Sequence, residues 1–268
     1  MEKYKNEEHL KSEIMGQSRH QFIYGYDGEA RKQFLENMVM EYPIVLDERS
    51  PMGIYVNEYG LPKIALGNEN VDKSKINIIS SEFLNFSIAR NILLKARSTN
   101  DLDVLNERII DLLDNLNNYS INRGHSQVRD LDDLIRILTE SKEFYKKYYI
   151  EYYGKGMETS SLDELAMPFM PFDMFVGQLK SAINNSSYFG VIIDKQDDIA
   201  LSSTKAINGL VAGRINKDIS MKIATEPDGW DSYHEVSGQV IQRTDDYGTI
   251  ELDASHDEYL KKLKSDRQ

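Results

Sequence analysis

The chain has 268 residues, no cysteine, 32 basic and 44 acidic side chains, and a formal charge of −12. At roughly 100–200 residues per domain, that length means one large domain or two small ones, with a core that needs no covalent staples. The absent thiols exclude disulfides, thiolate zinc sites, iron–sulfur clusters and cysteine nucleophiles together, and the acidic balance argues against a surface that grips nucleic acid everywhere.

Residues 1–15 are interrupted by charge and lack an apolar signal core. No run of about 18 apolar residues occurs, so no membrane span is expected. A cytoplasmic protein is the expectation. The histidines (His9, His20, His125, His234, His256) are scattered, with no pair at metal-ligand spacing. Surface or loop positions are expected for them, and no metal site.

Residues 6–15 predict a short polar helix with Leu10 and Ile14 on one face. Residues 21–24 are a short apolar run ending at Gly25. A helical pattern follows at once, with Phe34, Leu35, Met38 and Val39 on one side. Strand-like pieces follow at 43–46, 53–56 and 75–79. Residues 82–95 predict a helix. Leu102, Leu105, Ile109, Leu112 and Leu116 keep the apolar spacing of a paired helix. Polar turn residues over 117–124 break it, and Leu131, Leu134, Ile135 and Leu138 start a second helix that reaches about residue 153. The simplest reading is an antiparallel helical hairpin over 101–153, followed by a linker over 157–171. Residues 172–183 predict a helix. Residues 188–193 are a continuous apolar run ending at Asp194, as in a strand buried on both faces. A helix over 202–214, strands over 219–225 and 248–252 and a terminal helix over 257–264 complete the order.

The turn between the first strand and its helix has the makings of a phosphate cradle. Backbone N–H groups at a helix start point toward an anion, and the helix dipole favours it. A working loop reads G-x-x-x-x-G-K-[ST]. The window here is Gly25-Tyr26-Asp27-Gly28-Glu29-Ala30-Arg31-Lys32. Ala30 stands for the second glycine and adds a Cβ where the backbone must approach phosphate. Arg31 stands for the lysine, a planar fork in place of a compact ammonium. Lys32 stands for the magnesium-binding hydroxyl, a cation in place of an oxygen ligand. An ordinary strand–turn–helix remains the alternative reading of this segment.

The second half of the chain adds to the pattern. Phe189-Gly190-Val191-Ile192-Ile193-Asp194 resembles the apolar strand that presents a Walker-B aspartate. Lys195 follows where an acidic base would stand. The strand Met221-Lys222-Ile223-Ala224-Thr225 ends in a polar residue, as a sensor strand does. With these residues the chain resembles a degenerate AAA+, P-loop ATPase core of the bacterial origin-recognition-like branch.

The resemblance implies an α/β fold, a mostly parallel P-loop NTPase-like sheet flanked by helices, with the hairpin inserted. It divides the chain into 1–100, the N-terminal part of the core with the phosphate loop; 101–156, the hairpin; and 157–268, the part with the Walker-B-like strand. The helical lid and winged-helix domain of the family are expected to be missing. It assigns nucleotide contacts to Gly25, Gly28, Glu29, Ala30, Arg31 and Lys32, metal or catalytic work to Asp194, a sensor role to Thr225 and a trans-acting finger to Arg214. ATP or ADP is the implied ligand, with magnesium left open. Losses at several linked positions read as a retired site: a pseudo-ATPase or weakly active subunit, acting as scaffold or regulatory partner in a DNA-linked or defence assembly. The partner would be a protein, such as an active ATPase or a DNA-associated factor, with homo-oligomers also open. A divergent, oligomerising ATPase and a protein-binding module with no nucleotide history stay open as alternatives.

Three further features weigh on partners. Phe144, Tyr145, Tyr148, Tyr149, Tyr152 and Tyr153 interleave with lysines, which suits single-stranded nucleic acid. Their helical spacing suits a packed face equally, and the local charge is balanced. Residues 222–253 carry a local charge of −6, a solvated acidic surface or a docking face for a basic partner. Trp230, the only tryptophan, reads as an anchor.

Overall fold

A computed structural model of the chain describes residues 7–25, 27–65, 73–121, 127–155, 170–184, 187–213, 217–243 and 245–252. The centre is a five-stranded sheet, ordered β2-β3-β4-β1-β5. The strands are β1 (His20–Tyr24), β2 (Met52–Tyr55), β3 (Phe189–Asp194), β4 (Ile219–Thr225) and β5 (Tyr247–Glu251). Every neighbouring pair is parallel. This is the α/β architecture expected from the sequence, and it is wholly parallel. The inner strand β3 is a continuous apolar run as far as Asp194, and β4 is buried along its whole length, because helices cover both faces.

One face carries α1 (Glu7–Gly16) and α2 (Gly28–Met40). Ile14, Met15, Phe34, Leu35 and Met38 pack there against Ile23, Ile192, Ala224 and Ile250. Small residues let these helices come close. Gly53 and Gly190 pair across β2 and β3. A Cβ on Gly190 would lie 2.7 Å from Met15 Cε, and one on Gly53 would lie 3.3 Å from Val39 Cα.

The other face carries α3 (Lys73–Thr99), α4 (Leu102–Arg108), α5 (Ile110–Ile121), α6 (Leu131–Tyr148), α7 (Phe172–Ala182) and α8 (Leu201–Ala212). A π-helical turn, Tyr149–Gly154, extends α6. Phe83, Phe86, Ile92, Leu138 and Phe175 join Phe22, Val191 and Ile223 in the larger core. The leucine seam is buried from Leu105 to Leu116, with Leu102 partly buried, although the first arm is broken at Ile109, whose N–H reaches Leu105 O. The principal neighbour of α6 is α3 rather than α5.

Three sequence expectations differ from the structure. Residues 75–79 belong to α3, because their isoleucines lie on a helix with Ile76 and Ile79 turned inward and Ile78 outward. Residues 43–46 form no strand; the segment turns with Asp47 at φ 61°. His20 is not a surface residue: it lies in β1, where Met221 N–H donates to its Nδ1 at 2.9 Å. Burial and the nearby Lys222 charge lower its pKa to about 4. Lys222 is itself fully buried and donates to Gln17 O, Arg19 O and Gln21 Oε1. Burial lowers its pKa to about 7. The linker at 157–169 and the terminal helix at 257–264 lie outside the described residues.

The tyrosines of α6 and its π turn settle inward. Tyr145, Tyr148, Tyr149 and Tyr153 are buried, and only Tyr152 is exposed, stacked on Tyr148 at 5.3 Å. Trp230 meets Phe22 edge-on at 5.4 Å and donates to Asn208 Oδ1 at 3.1 Å. Both features are built into the core.

Candidate phosphate-loop site

In a parallel sheet the loops beyond the C-terminal strand ends form the ligand crevice. Here the ends of β3, β4 and β1 lie side by side, with β4 central. The β1–α2 turn leaves the sheet at Gly25, whose N–H donates to Thr225 O at 3.1 Å. A Cβ at Gly25 would stand 3.3 Å from Leu252 Cδ1. Asp27 then caps α2, with extended backbone and its Oδ1 accepting from Ala30 N at 3.0 Å. A helix start leaves several N–H groups without intrahelical partners, and these bind an incoming anion. At Ala30 the chain's own carboxylate has taken that role.

Arg31 does not project from the loop. Its guanidinium turns back, and Nη1 donates to Gly25 O at 2.5 Å. Nε donates to Asp194 Oδ1 at 2.7 Å. The Arg31 side chain is 5% exposed and that of Asp194 12%. Burial pushes the Asp194 carboxyl above the usual carboxylate range, against the opposing pull of the Arg31 and Lys32 charges. The pair bridges β1 and β3 across the end of β4.

The neighbouring positions continue the theme. Lys32 is exposed, and its charge reaches Asp194 only through space. Lys195 pairs with Asp231 at 3.3 Å and Asp197 at 3.6 Å. The cation at the base position is thereby tied to the loop after β4. Thr225 lies at the end of β4, fully buried, and its hydroxyl has no hydrogen-bond partner among the described residues. A Cβ at Gly229 would come within 2.7 Å of that hydroxyl. Thr225 is thus covered by the 226–229 turn.

The structure therefore brings Gly25, Gly28, Glu29, Ala30, Arg31 and Lys32 to one turn, with Asp194 against Arg31 and Thr225 behind Gly25. Arg214 lies outside the described residues. Two participants were not singled out from the sequence, Asp27 and Asp231. Asp27 had a local signal, a capping side chain three residues before Ala30. Asp231 had none.

Magnesium-bound nucleotide does not fit this arrangement. Magnesium on such a loop needs oxygen ligands. The hydroxyl position is Lys32, and the aspartate is held by a guanidinium. The Ala30 N–H is already bonded to Asp27. Among the described residues no group of three or more His, Asp or Glu is arranged to hold a metal ion.

The ORC-CDC6-like family profile matches residues 35–265. The match begins just past the phosphate-loop window. No curated protein and no solved structure matches the chain. Among the described residues no helix is long and apolar enough to cross a membrane. The chain belongs to the ORC-CDC6-like family, and so to the AAA+ ATPase-related proteins, a group whose fold is associated with nucleotide binding.

Proposed function

We propose that this ORC-CDC6-like protein is a pseudo-ATPase, a scaffold or regulatory subunit that works through protein contacts and turns over ATP weakly or not at all. The observation that carries the reading is the Arg31 guanidinium held between Gly25 O and Asp194. Phosphoryl transfer needs a held metal, neutralised phosphates and an oriented water. Asp194 is engaged by Arg31, and Lys195, paired with Asp231, stands where a base would be. An internal cation and an internal carboxylate thus stand where metal and phosphate would bind.

The reading places the chain beside a protein partner in a DNA-linked or defence assembly, by analogy with the family. Glu226, Asp228, Asp231, Asp245 and Glu251 are exposed in the C-terminal part. An acidic face of this kind disfavours a phosphate backbone. The aromatic residues that suited single-stranded nucleic acid are mostly buried. Both observations favour protein over nucleic acid as the partner.

The test is nucleotide turnover by the purified chain with magnesium and ATP. Background rates are expected, with no magnesium-dependent gain in thermal stability. Sustained hydrolysis that disappears in both Asp194→Asn and Asp194→Ala would overturn the reading. Purification from the native cell, with identification of the co-purifying chains, tests the assembly.

A further inference from the structure

A second concavity lies away from the phosphate loop, where the segment after β2 meets the segment after β3. Pro62 and Ile199 bridge there, and Lys63 N–H donates to Asp198 O. Between this junction, the first turns of α3, the π turn and the start of α8 is a cleft of about 370 Å³. Ile64, Ile76, Tyr149 and Leu201 give it an apolar floor, and Lys63 and Lys205 stand in its wall. Leu201 is 51% exposed, although it sits on the first turn of a helix otherwise well buried. Ile78, two residues beyond Ile76, is also exposed.

The charge is the second observation. On a chain of net charge −12, no acidic side chain among the described residues lines this cleft. Neither Lys63 nor Lys205 has an ion pair among the described residues. Lys142 and Lys146 pair with Glu58, Lys180 with Asp218, and Lys195 with Asp231, whereas Lys32, Lys75 and Lys147, like Lys63 and Lys205, have no ion pair among the described residues. Exposed apolar side chains beside unpaired cations fit a ligand with apolar groups and carboxylates at neighbouring positions.

We propose that this cleft docks an acidic amphipathic segment of a partner protein, with its apolar side chains against Ile64, Ile76, Tyr149 and Leu201 and its carboxylates on Lys63 and Lys205. A helical segment presents such a pattern when leucines at i, i+3, i+4 and i+7 are flanked by glutamates. The cleft opens onto solvent at Leu201 and Lys63, so a segment can be laid in from outside. Its significance rests on the scaffold reading, since it gives the scaffold's partner a chemistry.

The test uses the full chain and fluorescent synthetic peptides, with anisotropy as the readout. One peptide carries the leucine stripe flanked by glutamates, and a matched peptide carries lysines instead. The glutamate peptide is expected to bind and the lysine peptide not. Leu201→Ser should weaken binding about tenfold or more. Lys63→Glu with Lys205→Glu should weaken it about tenfold and raise affinity for the lysine peptide. That exchange of preference guards against variants that merely misfold. Failure of the glutamate peptide to bind, equal binding of both peptides, or indifference to the Leu201 and lysine changes would each overturn the proposal. So would a homodimer by light scattering that Leu201→Ser dissolves, because the occupant would then be a second copy. Peptide binding with ATP turnover would remove the scaffold reading and leave the cleft; no turnover and no binding would do the reverse.

Discussion

Asp194 is expected to be a stability residue, and the size of its effect follows from its surroundings. Replacing it by alanine leaves the Arg31 guanidinium buried, with Gly25 O as its remaining hydrogen-bond partner among the described residues. Breaking a buried ion pair by removing one member costs about 3–5 kcal/mol. The retained Gly25 bond and the 12% exposure of the Asp194 side chain place this case at the low end, about 3 kcal/mol. For a chain of this size that is a fall in Tm of about 6–12 °C. Asp194→Asn keeps an acceptor for Nε and loses only the charge, so it should cost about half as much. Arg31→Met combined with Asp194→Leu should return close to the parent, because the uncompensated charge is gone. The assay is urea unfolding of the parent, of Arg31→Met and Asp194→Leu singly, and of the double, at low and high salt. A coupling of about 3 kcal/mol or more, little changed by salt, is expected. If both single variants fell within about 0.5 kcal/mol of the parent, or the double were additive, the argument for a closed internal pair would fail.

Three other outcomes follow. The His20 pKa, lowered to about 4 in the fold, lets the unfolded chain bind the extra proton between about pH 6.5 and 4. Stability from this group is complete above pH 6.5 and lost as pH falls through that window, by roughly 3 kcal/mol. His20→Asn keeps an acceptor near Met221 N–H and should flatten that stretch of the profile relative to the parent; an unchanged slope would refute the assignment. The Glu82 carboxyl, pushed up by burial, titrates with the opposite sign and is common to both proteins. Gly190→Ala should cost about 1–3 kcal/mol in urea unfolding because Met15 must move, and Met15→Ala should relieve the added cost; simple additivity would count against the contact. Asn208→Ala removes the acceptor of Trp230 and the donor to Ser232 O and His234 O. The single tryptophan should then shift its emission to the red, with a loss of about 2–4 kcal/mol, and an unchanged spectrum would contradict the anchoring role.

Much of the sheet was legible because strands covered on both faces must be apolar throughout, as residues 189–193 and 219–224 largely are. The phosphate-loop resemblance was legible as a set of substitutions. Their consequence was not, because Arg31 and Asp194 are 163 residues apart and only the fold sets the direction of the guanidinium. Ile76, Ile78 and Ile79 read as a strand from local β-branched content, and tertiary packing along α3 outweighed it. The second cleft had no sequence signal at all. Its walls come from four separated segments, and its meaning lies in which lysines lack partners among the described residues, a property of the folded surface.

In nucleotide-driven assemblies, a bound phosphate draws the strand ends together, and its release lets them relax. Here the staple across the end of β4 is an ion pair between two side chains of the chain itself. On the proposed reading its occupancy does not rise and fall with the energy charge of the cell. On the proposed reading, the surface offered to a partner is therefore constitutive: the same shape in starvation and in plenty, with any timing in the assembly set by another subunit.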